Sequence, residues 1–391
     1  MDIDARIKRR QRRDAGPRLV QDYEALAPVT HLDEPSDRGP VLERLLDHLD
    51  PVFDGRLPPN AYVHGPCGAG KTAVVTALFG HLERLSTQTQ SVIYTSTRAG
   101  SPTAPGFVYV DARETTSEFA FYHRVLDALV DDRVPEHGIG TEEIRERLRE
   151  RVGRSRAGVV VGVDHVGAPD STDADRLVEL FAGLPSNASW LAVGRQPPAE
   201  TALAEYTATT IRVAPYRRQV LVDVLMARAS EGLAQQALTH ELARRIAEWA
   251  DGNAHDALAA LFVATDRASR ADRDRLAPED VDAAIAEVPD PSVSLGRVLA
   301  LPANKQRVLR ELVDLDADHR ASVTATTEAV SAAVDLSAGT VKRYLYELAE
   351  SGVVERVQAE QRAGKGRPPS RVELRFPPTA FRRLYDLRGE P

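Results

Sequence analysis

Eight consecutive residues, Gly65-Pro66-Cys67-Gly68-Ala69-Gly70-Lys71-Thr72, satisfy the pattern G-x-x-x-x-G-K-[ST]. The glycines let the backbone curl so that successive N–H groups face phosphate oxygens. Lys71 supplies point charge to the β and γ positions, and the Thr72 hydroxyl is a ligand for Mg²⁺. Ala73 follows directly and is counted with the nucleotide contacts. A glycine-rich loop that bound nothing would have no use for the lysine. The expected ligands are ATP or ADP with Mg²⁺.

Such a site needs an acid for the metal, and Val159-Val-Val-Gly-Val-Asp164 ends a strand-like run on one. Asp164 is therefore the second expected metal ligand beside Thr72. The next residue is His165, where hydrolysing enzymes of this layout usually place a glutamate that polarises the attacking water. Asp164 and His165 are the catalytic candidates. A neutral imidazole accepts a proton but brings no fixed negative charge, so slow or absent hydrolysis is expected; the blander alternative for His165 is a solvent-facing side chain.

The elements around these residues read as α/β. Ala61 to His64 predicts a short strand before the loop, and Thr72 to Leu85 an amphipathic helix after it, carrying Val74, Val75, Leu78 and Leu82. A helix is expected over Val41 to Leu49. Further buried-strand runs are 107–110, 159–163, 190–193 and 210–213, separated by helical segments, so five parallel strands are expected. The polar stretch 95–105 reads as an exposed loop. From Pro215 to about Val288 the spacing is helical throughout, and Pro289-Asp-Pro291 marks a linker. Trp190 and Trp249 fall on apolar faces and read as core.

The 391 residues allow two or three domains, and 42% hydrophobic content can fill their cores. No run of about twenty apolar residues and no apolar leader is present, so membrane insertion and export are not expected. The single cysteine, Cys67, cannot form an intrachain disulfide, and a cytoplasmic, nucleoid-associated location is expected. The net charge of −8 rules out a generally basic surface, so nucleic-acid contact must come from local patches. From Leu301 onward there are 15 Lys/Arg against 13 Asp/Glu, a net of +2. Residues 6–13 hold six basic side chains and read as a mobile tail, either simply solvated or weakly touching DNA.

The C-terminal part predicts a helix over 301–315, a second over 327–334 and a third over 338–351 capped by Ser337. In the third, Val341, Leu345 and Leu348 face the core while Thr340, Arg343 and Glu347 point away. Strands over 353–358 and 371–376 flank Arg362-Ala-Gly-Lys-Gly-Arg-Pro-Pro-Ser370, a basic hairpin tip. The expectation is a winged helix that binds double-stranded DNA. Lys342, Arg343 and Tyr346 would enter the major groove, and Arg362, Lys365, Arg367 and Arg371 would meet phosphates or the minor groove. Winged helices also dock on proteins, which is the alternative.

Taken together, Pro59 to Val74, Val134-Pro-Glu-His-Gly138, Ala214-Pro-Tyr-Arg-Arg-Gln-Val220, Asp251-Gly-Asn-Ala-His-Asp-Ala-Leu258 and the winged helix resemble the archaeal origin recognition / cell-division-cycle (ORC/CDC) type AAA+ replication initiators. The likeness runs from about residue 15 to 385. It implies an AAA+ P-loop NTPase domain, a parallel sheet with flanking helices, over 15–214. A helical lid over 215–290 and a winged-helix DNA-binding domain over 295–391 would follow the sheet domain, with a basic tail over 1–14 preceding it. It also implies Tyr216, Arg195 and His255 as nucleotide contacts, recruitment of the MCM replicative helicase, and a monomer or an assembly on DNA.

The chain departs from the family pattern around the γ-phosphate. Gly194-Arg195-Gln196 stands where the family has an asparagine, Gly252-Asn-Ala-His255 where it has Gly-Asp-Ala-Arg, and 199–210 holds no arginine finger. With His165 these changes imply a relaxed need for hydrolysis, or replacement positive charge from Arg195 and His255. The function expected is an ATP-binding, sequence-directed DNA-binding initiator that uses nucleotide as a conformational switch, and the resemblance with these departures implies a divergent paralogue within that family. The rivals are a nucleotide-switched winged-helix regulator or plasmid-maintenance factor, and an active motor ATPase.

Overall fold

A computed structural model describes residues 19–31, 35–93, 105–155, 157–169, 171–358 and 370–389. The basic tail, the expected loop over 95–105 except its last residue, and the wing-tip residues Arg362, Lys365 and Arg367 lie outside the described residues. The chain divides into two compact units, one of His31–Pro215 and one joining the described residues up to Thr30 to everything from Tyr216 on.

The first unit holds five parallel strands, β1 (Ala61–His64), β2 (Gly106–Asp111), β3 (Val159–Val166), β4 (Ala188–Gly194) and β5 (Thr209–Arg212), in the order β2-β3-β4-β1-β5. Valine-rich β3 is buried along both faces, as a strand covered by helices must be. One face packs on the helices Gly39–Leu49 and Lys71–Ile93, through Leu45, Leu49, Val74, Val75 and Phe79. The other packs on Glu118–Asp127, Thr141–Arg154 and Ala174–Ala182, through Phe121, Leu148 and Leu177. Trp190 is buried here. Crossover connections in a parallel sheet place all strand C-termini on one edge, so the ends of β1, β2, β3 and β4 present their last residues together.

The second unit is helical from Arg218 to Asp314, through α-helices Arg218–Gly232, His240–Trp249, Ala254–Arg270, Pro278–Glu287, Leu295–Leu299 and Ala303–Asp314. The helix expected over 301–315 begins later, at Ala303, because Pro302 has no N–H to donate and serves as the residue before the first turn. Trp249 packs against the shared core, partly covered. Residues 19–30, expected in the sheet domain, instead group with this unit. Gln21 and Asp22 N–H both donate to Gly232 O, and Arg228 donates to Ala25 O at 2.9 Å and to Thr30 O. Gly232 permits that approach, since a Cβ there would lie 2.4 Å from Leu26 Cγ. The lid and winged-helix segments, read as separate domains, fall within one unit and share one core.

The winged helix follows as Ala303–Asp314, Val323–Ala333 and α1 (Ala338–Glu350), then β6 (Val354–Gln358) paired antiparallel with β7 (Ser370–Leu374), and a last helix Pro378–Arg388. Its middle helix begins at Val323 rather than near Thr327, because Ser322 Oγ accepts from Ala325 N–H and caps it there. In α1, Ser337 caps and Val341, Leu345 and Leu348 are buried, as their spacing predicts.

Candidate functional site

The phosphate loop follows β1 directly. Gly68 and Gly70 take φ of 67° and 75°, the left-handed region that needs no Cβ. Gly65 is required for a different reason: a Cβ would sit 2.1 Å from Val213 O, where the segment after β5 crosses the loop. Lys71 folds back over this curl, with Nζ donating to Gly65 O and Pro66 O at 2.7 Å each. Burial pushes its ammonium down to about 8, Arg195 and Arg38 add to that, and Asp164 and Cys67 oppose it. A buried cation beside curled amides is the arrangement that gains most from an arriving phosphate.

At the end of β3, Asp164 is almost fully buried. Its Oδ1 accepts from His165 N–H at 2.7 Å and its Oδ2 from the Tyr109 hydroxyl at 3.0 Å. Tyr109 holds its proton well above the usual phenol range, through burial and then the charges of Asp164 and Asp111. A carboxylate has about four acceptor directions, so Asp164 keeps capacity for a metal. Among the described residues no group of three or more His, Cys, Asp or Glu side chains is placed to hold a metal ion. The donor set of one carboxylate and the Thr72 hydroxyl fits Mg²⁺, which completes its shell with phosphate oxygens and water, and does not fit a metal that needs an all-protein cage.

The neighbouring strand end carries a second acid. Asp111 lies in register with Asp164, but its carboxylate is bound by Arg113, with Nε at 2.9 and 3.1 Å and Nη2 at 2.5 Å. His165 Nδ1 stands 3.3 Å from Asp111 Oδ1 and 3.7 Å from Asp164 Oδ1. Burial pushes the Asp111 carboxyl up, yet His165 and Arg113 outweigh it and hold the group well below the usual range. His165 is thus turned against Asp111, which corrects the alternative that it merely faces solvent. Its backbone is at φ 63°, and the β3–β4 register shifts between Val163 and Val166. A bulge re-aims side chains, and a left-handed histidine costs about 1–2 kcal/mol, so strain is stored at the strand end that carries Asp164.

Arg195, at the end of β4, is exposed and donates through Nη2 to Cys67 Sγ at 3.3 Å. The structure therefore brings Gly65 to Ala73, Asp164, His165 and Arg195 onto one edge of the first unit. Tyr216 and His255 belong to the second unit. Tyr216 is buried and donates its N–H to Gly252 O. His255 is enclosed: Nδ1 lies 3.1 Å from Asp256 Oδ1, and Nε2 accepts from Leu295 N–H at 3.0 Å. Both ring nitrogens of His255 are thus engaged within its own unit, by Asp256 and the Leu295 main chain. Sequence reasoning missed Arg38, Tyr109, Asp111 and Arg113. Their signal was weak, since Asp111 is legible only as an acid closing an apolar run.

On the second unit, Lys342 and Arg343 of α1 are exposed, and Tyr346 is half-buried. Arg371 is the second residue of β7, which spans Ser370–Leu374 where 371–376 was expected, and its guanidinium is engaged by Glu373 at 2.5 Å.

Comparison with known proteins agrees with this architecture. Residues 37–193 match the AAA ATPase domain family model. The ORC1-type DNA replication protein 1 of Aeropyrum pernix is 28% identical over 360 residues, covering 85% of this chain and 87% of that protein. The ORC1-type DNA replication protein 6 of Halobacterium salinarum is 24% identical over 351 residues, covering 84% and 86%. Among solved structures, Aeropyrum pernix ORC1 in complex with DNA has a TM-score of 0.61 at 24% identity, covering 94% of this chain and 97% of that one. Cdc6p from Pyrobaculum aerophilum has a TM-score of 0.51 at 20% identity, covering 95% and 99%. Both structures speak for the fold.

Proposed function

We propose that the chain is an archaeal ORC/CDC-type AAA+ protein and, within that type, a sequence-directed, DNA-binding replication initiator in which nucleotide acts as a latch. The curled loop and Lys71 bind the phosphates of ATP or ADP, Thr72 and Asp164 hold Mg²⁺, and Arg195 adds charge next to the loop. Bound Mg²⁺ would neutralise the phosphate oxygens. Tyr109 keeps the Asp164 carboxylate oriented for it. The α1 helix and the β6–β7 ribbon after it meet duplex DNA, and Arg362, Lys365 and Arg367, outside the described residues, are proposed as further contacts. Recruitment of the MCM replicative helicase and assembly on DNA rest on family membership alone. A cytoplasmic, nucleoid-associated site of action is part of the same proposal; among the described residues no helix is long and apolar enough to cross a membrane.

One observation carries the latch reading. Asp111, the carboxylate in register with Asp164, is spent on Arg113, and the residue after Asp164 is a histidine leaning on that same acid. A water beside the γ-phosphate therefore lacks the free carboxylate that would polarise it, and hydrolysis is weak. The test pairs single-turnover ATP hydrolysis with DNA footprinting in ATP and in ADP. The expected outcome is a footprint that differs between the two nucleotides with turnover far below about one per second. Turnover at that rate, or identical footprints, would overturn the latch.

A further inference from the structure

The DNA face of the winged helix carries more cations than are free to meet phosphate, because carboxylates on the same surface engage several of them. Arg343 donates to Glu347 Oε1 at 3.0 Å, and Lys305 reaches Glu347 Oε2 at 3.0 Å. The Lys305 hydrogen bond is the main reason that Glu347 stays charged below the usual carboxylate range. Arg371 pairs with Glu373 at 2.5 Å, and Arg375 with Glu355 at 2.6 Å.

Two cations differ. Lys342 is exposed, one helical turn before Tyr346, and makes no ion pair among the described residues. Arg356 is exposed on β6 and has no carboxylate partner among them. Its guanidinium lies 4.5 Å from the centre of the Tyr346 ring, and Nη2 donates to Ser370 Oγ at 3.3 Å. Arg356 pairs across the ribbon with Val372 and lies two residues after Val354, both buried. Strand alternation thus puts Arg356 on the face of the ribbon that packs toward α1, just past the edge of the core.

A guanidinium held over an aromatic ring loses little further freedom on binding, and its fork of N–H groups matches two phosphate oxygens. The ring that holds it is covered in return. We propose that Arg356 and Lys342 form a phosphate clamp on one strand of duplex DNA, with Tyr346 as the platform that orients Arg356 instead of a reader of bases. Arg343 and Arg371, held by their glutamates, contribute less. The clamp rests on the reading that α1 faces DNA.

The experiment is fluorescence anisotropy of the full chain with a labelled mixed-sequence duplex over a salt series. Each neutralised phosphate contributes about 0.9 to the slope of log K against log salt, which is about eightfold in affinity at about 0.1 M. Arg356→Ala and Lys342→Ala are each expected to lose about that slope and that affinity, and the double variant both amounts. Arg343→Ala and Arg371→Ala lose no more than about twofold. Arg356→Lys retains the slope but loses about threefold, because the charge remains without the flat stack. Circular dichroism confirms that each variant is folded. If the wild type binds with a steep slope and Arg356→Ala and Lys342→Ala bind equally well, the clamp fails while the DNA reading stands. If the wild type shows no salt-dependent binding, the DNA reading fails and the clamp with it.

Discussion

The two halves of the nucleotide edge are built on different principles. Around β1 the phosphate would be held by main chain and one cation: positive-φ glycines, a loop fixed by the segment after β5, and Lys71 folded over two carbonyls. Around the ends of β2, β3 and β4 it would be sensed by side chains, and these are engaged with each other: Asp111 with Arg113, His165 with Asp111, Arg195 with Cys67. Holding needs only local geometry and survives in the family pattern. Sensing needs side chains free to respond, and here they are engaged with one another.

The sharpest way to break this contrast is Lys71→Ala. Charge-assisted hydrogen bonds contribute about 1.5–3 kcal/mol, so losing Lys71 should weaken ATP and ADP alike by about a hundredfold in calorimetry. An unchanged affinity would remove the holding half altogether. Next in size is Arg113→Ala, which strands a buried carboxylate. Breaking such a pair costs about 3–5 kcal/mol where burial is complete and about 2–3 here, since both side chains retain slight exposure. In a unit of this size that lowers Tm by roughly 4–10 °C. The pH dependence has a definite sign. Asp111 is held below its unfolded value of about 3.9, so its contribution is full above that pH and is lost as pH falls through the lower folded value. The gap between wild type and Arg113→Ala should therefore close in acid; a gap constant with pH would mean that Arg113 acts by packing alone.

Arg195 tests whether any sensing charge remains. It is exposed, so a contact from it to the γ-phosphate is worth about 1 kcal/mol at most. Arg195→Ala should weaken ATP about fivefold and leave ADP unchanged. Equal loss for both nucleotides would move Arg195 from sensing to holding, as its bond to Cys67 of the loop already hints.

What could be read in advance follows the same division. The loop, its flanking strand and helix, and the acid closing β3 are contiguous in sequence, and their types suffice to name their roles. The Asp111–Arg113 pair is local, two residues apart, but the lean of His165 on Asp111 joins residues from two strands, and no local pattern encodes the register that unites them. Tyr346 shows the same limit on the DNA side. Its type and place on α1 pointed to a base contact, but its partner Arg356 comes from the following ribbon. The grouping of residues 19–30 with the second unit depends on Gly232 and Arg228, some two hundred positions away. The helix that begins at Val323 is a smaller case, since Ser322 was a legible cap that the apolar spacing alone did not weigh.

His165 is the smallest expected effect and the one that separates two accounts of the altered half. If the histidine has taken over as base, positioned by Asp111, removing it should cost about a hundredfold or more in turnover, the usual worth of general-base catalysis. If the strand end has been released from hydrolysis, His165→Ala changes nucleotide affinity by less than about twofold and changes an already slow turnover little. Removing a left-handed β-branched residue would relieve strain; histidine is not β-branched, and alanine at φ 63° keeps most of the backbone cost, so the variant isolates the imidazole from the bulge that carries it. The commitment of Asp111 to Arg113 favours the second outcome. A base oriented by an acid needs that acid's charge for itself, and here the guanidinium has already neutralised it.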